Sequence, residues 1–238
     1  MRWIVLHLSV VVVVLAGCDP GSPGMAEGSG TLAVAAFPGL SAGSEADVPD
    51  TMPMVVRRVW YTNTSDIGNG PSGDGRFLPV TDWSGTGSEG ALAVHDLLTG
   101  ETRRVTPEAN PFPTAYAENS AISGDGRRVA YTWWSDDSGW ELRLADVDGS
   151  EPRVLYHDQA FEVRPHQWSS DGETVLVSAS DNRDNLIGLV KVEDGSLQVL
   201  KRMGQRHSVG LAMSPNGRYV AFDDKAGDDP QRDLFVIT

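Results

Sequence analysis

The stretch SGDGRRVAY, Ser123 to Tyr131, is written three more times with small changes: SGDGRFLPV from Ser72, SSDGETVLV from Ser169 and SPNGRYVAF from Ser214. Each copy joins a Ser-x-Asp/Asn-Gly corner to a short apolar alternation. A phrase that recurs in this way is the mark of an internal repeat, and it takes precedence over any search for catalytic residues. The copies begin 51, 46 and 45 residues apart.

A period near 45 residues matches one four-stranded blade of a β-propeller. After each corner comes a strand in the same register: Leu78 and Val80, Val129 and Tyr131, Val175 and Val177, Val220 and Phe222. The residues between them, Pro79, Ala130, Leu176 and Ala221, are also apolar or small, as a sheet covered on both faces requires. Third strands follow as ALAVHDL, ELRLADV, LIGLVKV and DLFVIT. In three copies a Gly turn (LTGE, VDGS, EDGS) leads to a fourth strand, TRRVT, PRVLY or LQVLK. These Thr-Gly and Asp-Gly pairs suit the positive backbone angles of tight hairpins. The predicted fold is all-β, a propeller of four-stranded antiparallel blades in four copies.

The last copy stops after its third strand. VVRRVWYT, Val55 to Thr62, reads as a strand and stands where a spare fourth strand would complete that blade. Two counts stay open: a closed four-bladed ring, at the lower end of the usual four to eight, or an incomplete part of a larger propeller.

The SxDGR-apolar corner and the D-x-DG hairpin resemble the repeats of TolB and related bacterial periplasmic proteins. The resemblance covers Val55 to the end. It implies the propeller and says little about activity. TolB's own amino-terminal α/β domain has no counterpart in the sequence before Val55, so a TolB-type role in envelope integrity is not implied.

Ahead of the repeats, residues 1–17 combine Arg2, an apolar run from Trp3 to Ala16 and small residues before Cys18, the layout of a secretory signal. The run is shorter than the roughly 20 residues of a membrane span. Leu15-Ala16-Gly17-Cys18 resembles the bacterial lipobox, which implies lipidation of Cys18 and anchoring at a membrane surface in the cell envelope, on the extracytoplasmic (periplasmic) side. Residues 18–53 are rich in Gly, Ser, Pro and Ala and read as a flexible tether. Residues 54–238 hold the propeller repeats.

Composition narrows the function. A formal charge of -14 argues against a nucleic-acid partner, since phosphates are repelled by such a surface. The single cysteine leaves no intrachain disulfide. Gly39-Leu-Ser-Ala-Gly43 matches Gly-x-Ser-x-Gly, but it lies in the tether with no strand before it and no helix after it. His95, His157, His166 and His207 are scattered among the blades and nominate no triad; zinc spacings are missing, and no cofactor or metal site is assigned.

Acidic residues gather between second and third strands: Asp136 and Asp137, Asp181 and Asp184, and Asp223, Asp224, Asp228 and Asp229. In a propeller these loops share one rim with the connections between blades. A convergent negative rim suits a basic segment of a partner or Ca²⁺. The spacing matches no EF-hand, and like charges on exposed loops are as often a solvated surface. Aromatic residues flank the same loops: Trp83, Trp133, Trp134 and Trp140, with Tyr116, Phe161 and His166 expected on connections between blades. Trp134 and Trp168 read as core wedges, and Trp133 and Trp140 as exposed anchors that, with Arg164 or Arg206, make an interface.

The expected function is a membrane-tethered, extracytoplasmic module that binds a protein or peptide and carries out no chemistry. The partner-binding candidates are Trp133, Trp140, Asp136, Asp137, Arg164 and Arg206. Two other readings stand beside it: the propeller portion of a prolyl-oligopeptidase-like hydrolase, whose α/β-hydrolase pattern does not occur in these residues, and a ligand-sensing lipoprotein that uses the central channel.

Overall fold

A computed structural model of the chain describes residues 60–84, 90–106, 114–181, 183–206, 208, 210–225 and 231–238. The chain divides into two units, Met1–Val55 and Val56–Thr238, and every described residue lies in the second. The expected signal, Cys18, the tether with Ser41, His207, Asp228 and Asp229 fall outside the described residues.

The described residues form strands and turns, with no helix among them and hence none long and apolar enough to cross a membrane. The first blade is β1 (Ser65–Ile67), β2 (Phe77–Asp82), β3 (Ala91–Asp96) and β4 (Thr102–Arg104). The second is β5 (Ala115–Ile122), β6 (Arg128–Ser135), β7 (Gly139–Asp146) and β8 (Arg153–His157). The third is β9 (Glu162–Trp168), β10 (Thr174–Ser180), β11 (Asn185–Lys191) and β12 (Leu197–Gly204). The fourth copy supplies β13 (Leu211–Met213), β14 (Val220–Lys225) and β15 (Arg232–Ile237). Each sheet is an antiparallel meander in chain order, so the repeat is a propeller blade.

The recurring phrase is a hydrogen-bonded corner. In all four copies the Ser hydroxyl donates to the Asp or Asn oxygen two residues on, at 2.5, 2.6, 2.6 and 2.8 Å, and accepts the backbone N–H five residues on, at 2.9 to 3.0 Å. The glycine adopts φ between 68° and 73°, a left-handed conformation that a side chain disfavours. Ser, Asp/Asn and Gly are therefore each needed to turn β1 into β2 and its equivalents.

Packing occurs between blades. Leu92, Val94 and Val105 of the first blade meet Ala117, Val129, Tyr131 and Trp133 of the second. Ala130, Leu142 and Leu155 of the second meet Val163, Trp168, Val175 and Val177 of the third. Leu176, Ile187 and Met203 of the third meet Met213, Val220 and Phe222 of the fourth. A middle strand such as β10, with Val175 and Val177 toward one neighbour and Leu176 toward the other, has to be apolar on both faces. The same join recurs at the hairpins: a Cβ on Gly149 or Gly195 would collide with the carbonyl of Val105 or Leu155 in the preceding blade.

Asn69 ties three blades together. Its backbone N–H donates to Ser120 O at 2.7 Å and its side-chain amide to Pro165 O at 2.7 Å. Near it, β5 carries a bulge between Glu118 and Ser120, with Asn119 at φ 43° and with Asn119 Nδ2 and Ser120 Oγ buried without a partner. The expected strand Val55–Thr62 lies outside the described residues up to Val59. Its remainder is a correction: Trp60–Thr62 are not in a strand. Trp60 instead stacks on His95 with ring centroids 4.3 Å apart and packs on Leu78, Val80 and Ala93 of the first blade, because a large ring gains more from covering that apolar face than from pairing at an edge.

Candidate functional site: an aromatic and polar rim

A meander places alternate connections at opposite ends of the blade. One end holds the Ser corners and Gly hairpins; the other holds the β2–β3, β6–β7, β10–β11 and β14–β15 loops with the connections between blades. On this second rim Trp83, Tyr116, Trp134 and Trp140 come together. Tyr116 lies 6.1 Å from Trp83, 5.5 Å from Trp134 and 6.1 Å from Trp140, and the two tryptophans of the second blade are 6.4 Å apart. All four are half-buried. Trp134 and Trp140 are register partners across the β6–β7 hairpin, which puts both rings on one face. Gly90, with no side chain, lets Trp83 and Tyr116 approach.

Several expected placements change. Trp133 is only 7% exposed. It points to the opposite face from Trp134, into the packing between first and second blades, with the Arg143 guanidinium 4.8 Å above its ring. Tyr116 and His166 lie within inner strands β5 and β9 and not on connections. Trp134 belongs to the half-buried rim cluster, while Trp168 is the expected wedge: its indole N–H donates to Ala121 O of the preceding blade.

Most of the acidic loops are already engaged. Asp181 accepts two N–H groups of its own turn, Asp184 pairs with Arg202 at 2.6 Å, Asp223 pairs with Arg232, and the buried Asp224 pairs with Arg206 at 3.0 Å. Arg206 also donates to Lys225 O, so it pins the third-to-fourth connection. Asp136 and Asp137 differ, being exposed and without a side-chain partner among the described residues. No three His, Cys, Asp or Glu side chains among the described residues converge to hold a metal ion.

Nearer the inner strands, Arg164 Nε donates to Glu162 Oε1 at 2.5 Å, and His166 Nε2 is hydrogen-bonded to Ser178 Oγ at 2.8 Å. Burial, with the Arg164 charge adding to it, pushes the His166 imidazole down to about 4. A ring that stays neutral so far below pH 7 is a weak base, and among the described residues no carboxylate orients it, so the pair holds a hydroxyl in place more readily than it activates one. Burial and the carboxylates of Glu118 and Glu162 push the Tyr116 hydroxyl up to about 12. The His166–Ser178 pair had no signal in sequence; it needs the β9–β10 pairing.

Fold and repeat together define the class, a β-propeller. Within that class the chain is similar, over part of its length, to TolB proteins. It is 29% identical over 99 residues to the Tol-Pal system protein TolB of Anaeromyxobacter dehalogenans, covering 42% of this chain and 22% of that one. It is 31% identical over 109 residues to the protein TolB homolog of Chlorobium chlorochromatii, covering 45% and 22%. The chain thus matches about a fifth of the length of these curated relatives. Among solved structures, the putative TolB of Agrobacterium tumefaciens superposes with a TM-score of 0.60 at 22% identity, covering 76% of this chain and 60% of that one. No protein-family model matches the chain.

Proposed function

We propose that this chain is a binding module without chemistry of its own, lipid-anchored through Cys18 on the extracytoplasmic side of a bacterial membrane, and that its rim takes a protein or peptide partner. The observation that carries this reading is the meeting of Trp83, Tyr116, Trp134 and Trp140 on one rim, with the exposed Asp136 and Asp137, which have no side-chain partner among the described residues, on the hairpin between Trp134 and Trp140. Aromatic side chains that offer ring faces while losing little rotamer freedom are the usual anchors of an interface. The two carboxylates on that hairpin favour a basic segment of the partner and raise its encounter rate. Asp184, Asp223 and Asp224 contribute less to that field, because arginines already pair with them. TolB-like relatives of the envelope are consistent with the location.

Two measurements test the parts separately. Cys18→Ser should move the chain from the membrane fraction to the soluble one; unchanged membrane association refutes the lipid anchor. A photo-crosslinking amino acid placed at Asp137 should trap one defined partner in intact cells. Trp140→Ala combined with Asp136→Asn should abolish that adduct with folding intact, and an adduct indifferent to both changes means that the rim is not the contact face.

A further inference from the structure

A cavity of about 460 Å³ opens on the same rim, at the face of the third blade that turns toward the fourth. Its walls follow from a break in the β10 pattern: Leu176 on this face is apolar, but the next two residues on it are Ser178 and Ser180. The register sets Arg164 opposite Ser178 and Glu162 opposite Ser180. Asn185 of β11 and Gln205 after β12 complete the polar lining. The buried side chains of Ile187 and Met203 form its apolar part.

Part of the bonding capacity of this lining is spent: Ser178 is held by His166, Asn185 Nδ2 donates to Gly204 O, and Ser208 Oγ is bonded to Gly210 O and Asp223. Arg164 uses only Nε on Glu162, and its two Nη groups have no partner among the described residues, on a side chain 42% exposed. Ser180 and Gln205 likewise show no partner. Charge then decides what fits. The two charged residues that line it, Glu162 and Arg164, are paired with each other, so an anion finds no unopposed positive charge there. A cation meets the Nη groups. The cavity therefore selects an uncharged ligand rich in both donors and acceptors. Planar carboxylate, guanidinium and amide groups converge on one small space from β9, β11 and the loop after β12, which matches clustered hydroxyls; a peptide backbone instead spreads its N–H and C=O groups along a line. The apolar side chains of Ile187 and Met203 offer a wall on which the C–H face of a sugar packs.

We propose that this cavity is a saccharide-binding site that takes one or two units of an uncharged oligosaccharide, with Arg164 and Glu162 gripping adjacent hydroxyls and Ser178, held by His166, and Ser180 completing the grip. The volume is within the roughly 300 to 1,000 Å³ of ligand pockets. The site is independent of whether Trp140 and Asp136 engage a protein.

Titration of the full chain with maltotriose, cellotriose and chitotriose, read by saturation-transfer NMR and calorimetry, tests it. At least one should bind at millimolar concentration or below. Arg164→Ala should weaken binding by about tenfold or more, the loss expected for a hydrogen bond to a charged group, and Ser180→Ala, which leaves the ion pair intact, should weaken it less. Asp136→Asn with Asp137→Asn should leave it unchanged. Binding of none of the three at millimolar concentration overturns the proposal, as does binding indifferent to both cavity substitutions or capture of an uncharged peptide in the cavity in place of any sugar.

Discussion

The indole N–H of Trp168, at the end of β9, donates to the carbonyl oxygen of Ala121, in β5 of the preceding blade, at 2.9 Å. Trp168 is 5% exposed, and the Arg128 guanidinium lies 4.9 Å over its ring. One side chain thus provides apolar contact, a hydrogen bond and a cation–π contact across a blade junction, where this fold keeps its core.

Trp168→Ala should therefore cost about 3–5 kcal/mol, the range for truncating a buried aromatic. Trp168→Phe keeps most of the ring but orphans the Ala121 carbonyl and should cost about 1–3 kcal/mol. Urea denaturation followed by circular dichroism measures both, and a Trp168→Phe variant as stable as the unaltered chain would mean that the hydrogen bond contributes nothing.

The hairpin glycines separate backbone conformation from contact between blades. Gly100, Gly149 and Gly195 all have positive φ, of 79°, 86° and 72°. Only Gly149 and Gly195 face a carbonyl of the neighbouring blade; Gly100 has open space around it. Gly100→Ala should cost about 1–2 kcal/mol from the left-handed backbone alone. Gly149→Ala and Gly195→Ala should cost roughly 1–3 kcal/mol more, because the blades must part to admit the methyl group.

Acid should act in two stages. His166 has a folded-state pKa of about 4, below the ordinary 6.5. The unfolded chain therefore takes that proton first, and stability falls as pH drops from 6.5 toward 4. Asp74, Asp125 and Asp171 are held below 3.8 by the Ser hydroxyls and backbone N–H groups of their corners. Their contribution is complete above 3.8 and is lost below it. A melting temperature that declines through both windows, with the upper decline reduced in His166→Gln, is the expected outcome. His95, lowered by burial as well, keeps part of that upper decline.

Trp133 and Trp140 should part company. Trp133→Ala opens a hole between first and second blades and should cost about 3–5 kcal/mol. Trp140→Ala removes a half-buried ring and should cost less than about 2 kcal/mol while abolishing partner contact at the rim. If the two variants melt alike, the assignment of one to the core and the other to the surface fails.

Local order decided what was legible in advance. The Ser-x-Asp/Asn-Gly corners need only residues within five positions of one another, so the four copies could be read directly, and the doubly apolar runs such as Val175-Leu176-Val177 carried the blade packing with them. Trp60 covers a sheet face in place of continuing a strand because an aromatic ring suits both places equally. Trp133 turns into the core, against expectation, because neighbouring residues of a strand face opposite ways and only the packing of adjacent blades decides which face is covered.

From the sequence alone come the repeat, its corners, the meander and the acidic character, since these rest on short-range backbone chemistry and composition. Tertiary structure alone decided that Asp184, Asp223 and Asp224 are paired while Asp136 and Asp137 have no side-chain partner among the described residues, that four aromatic rings from two blades converge, and that Arg164 and Ser178 line one cavity. Such groupings join residues far apart in the chain whose side chains are brought within bonding distance by sheet register and blade packing, and no local pattern encodes that distance.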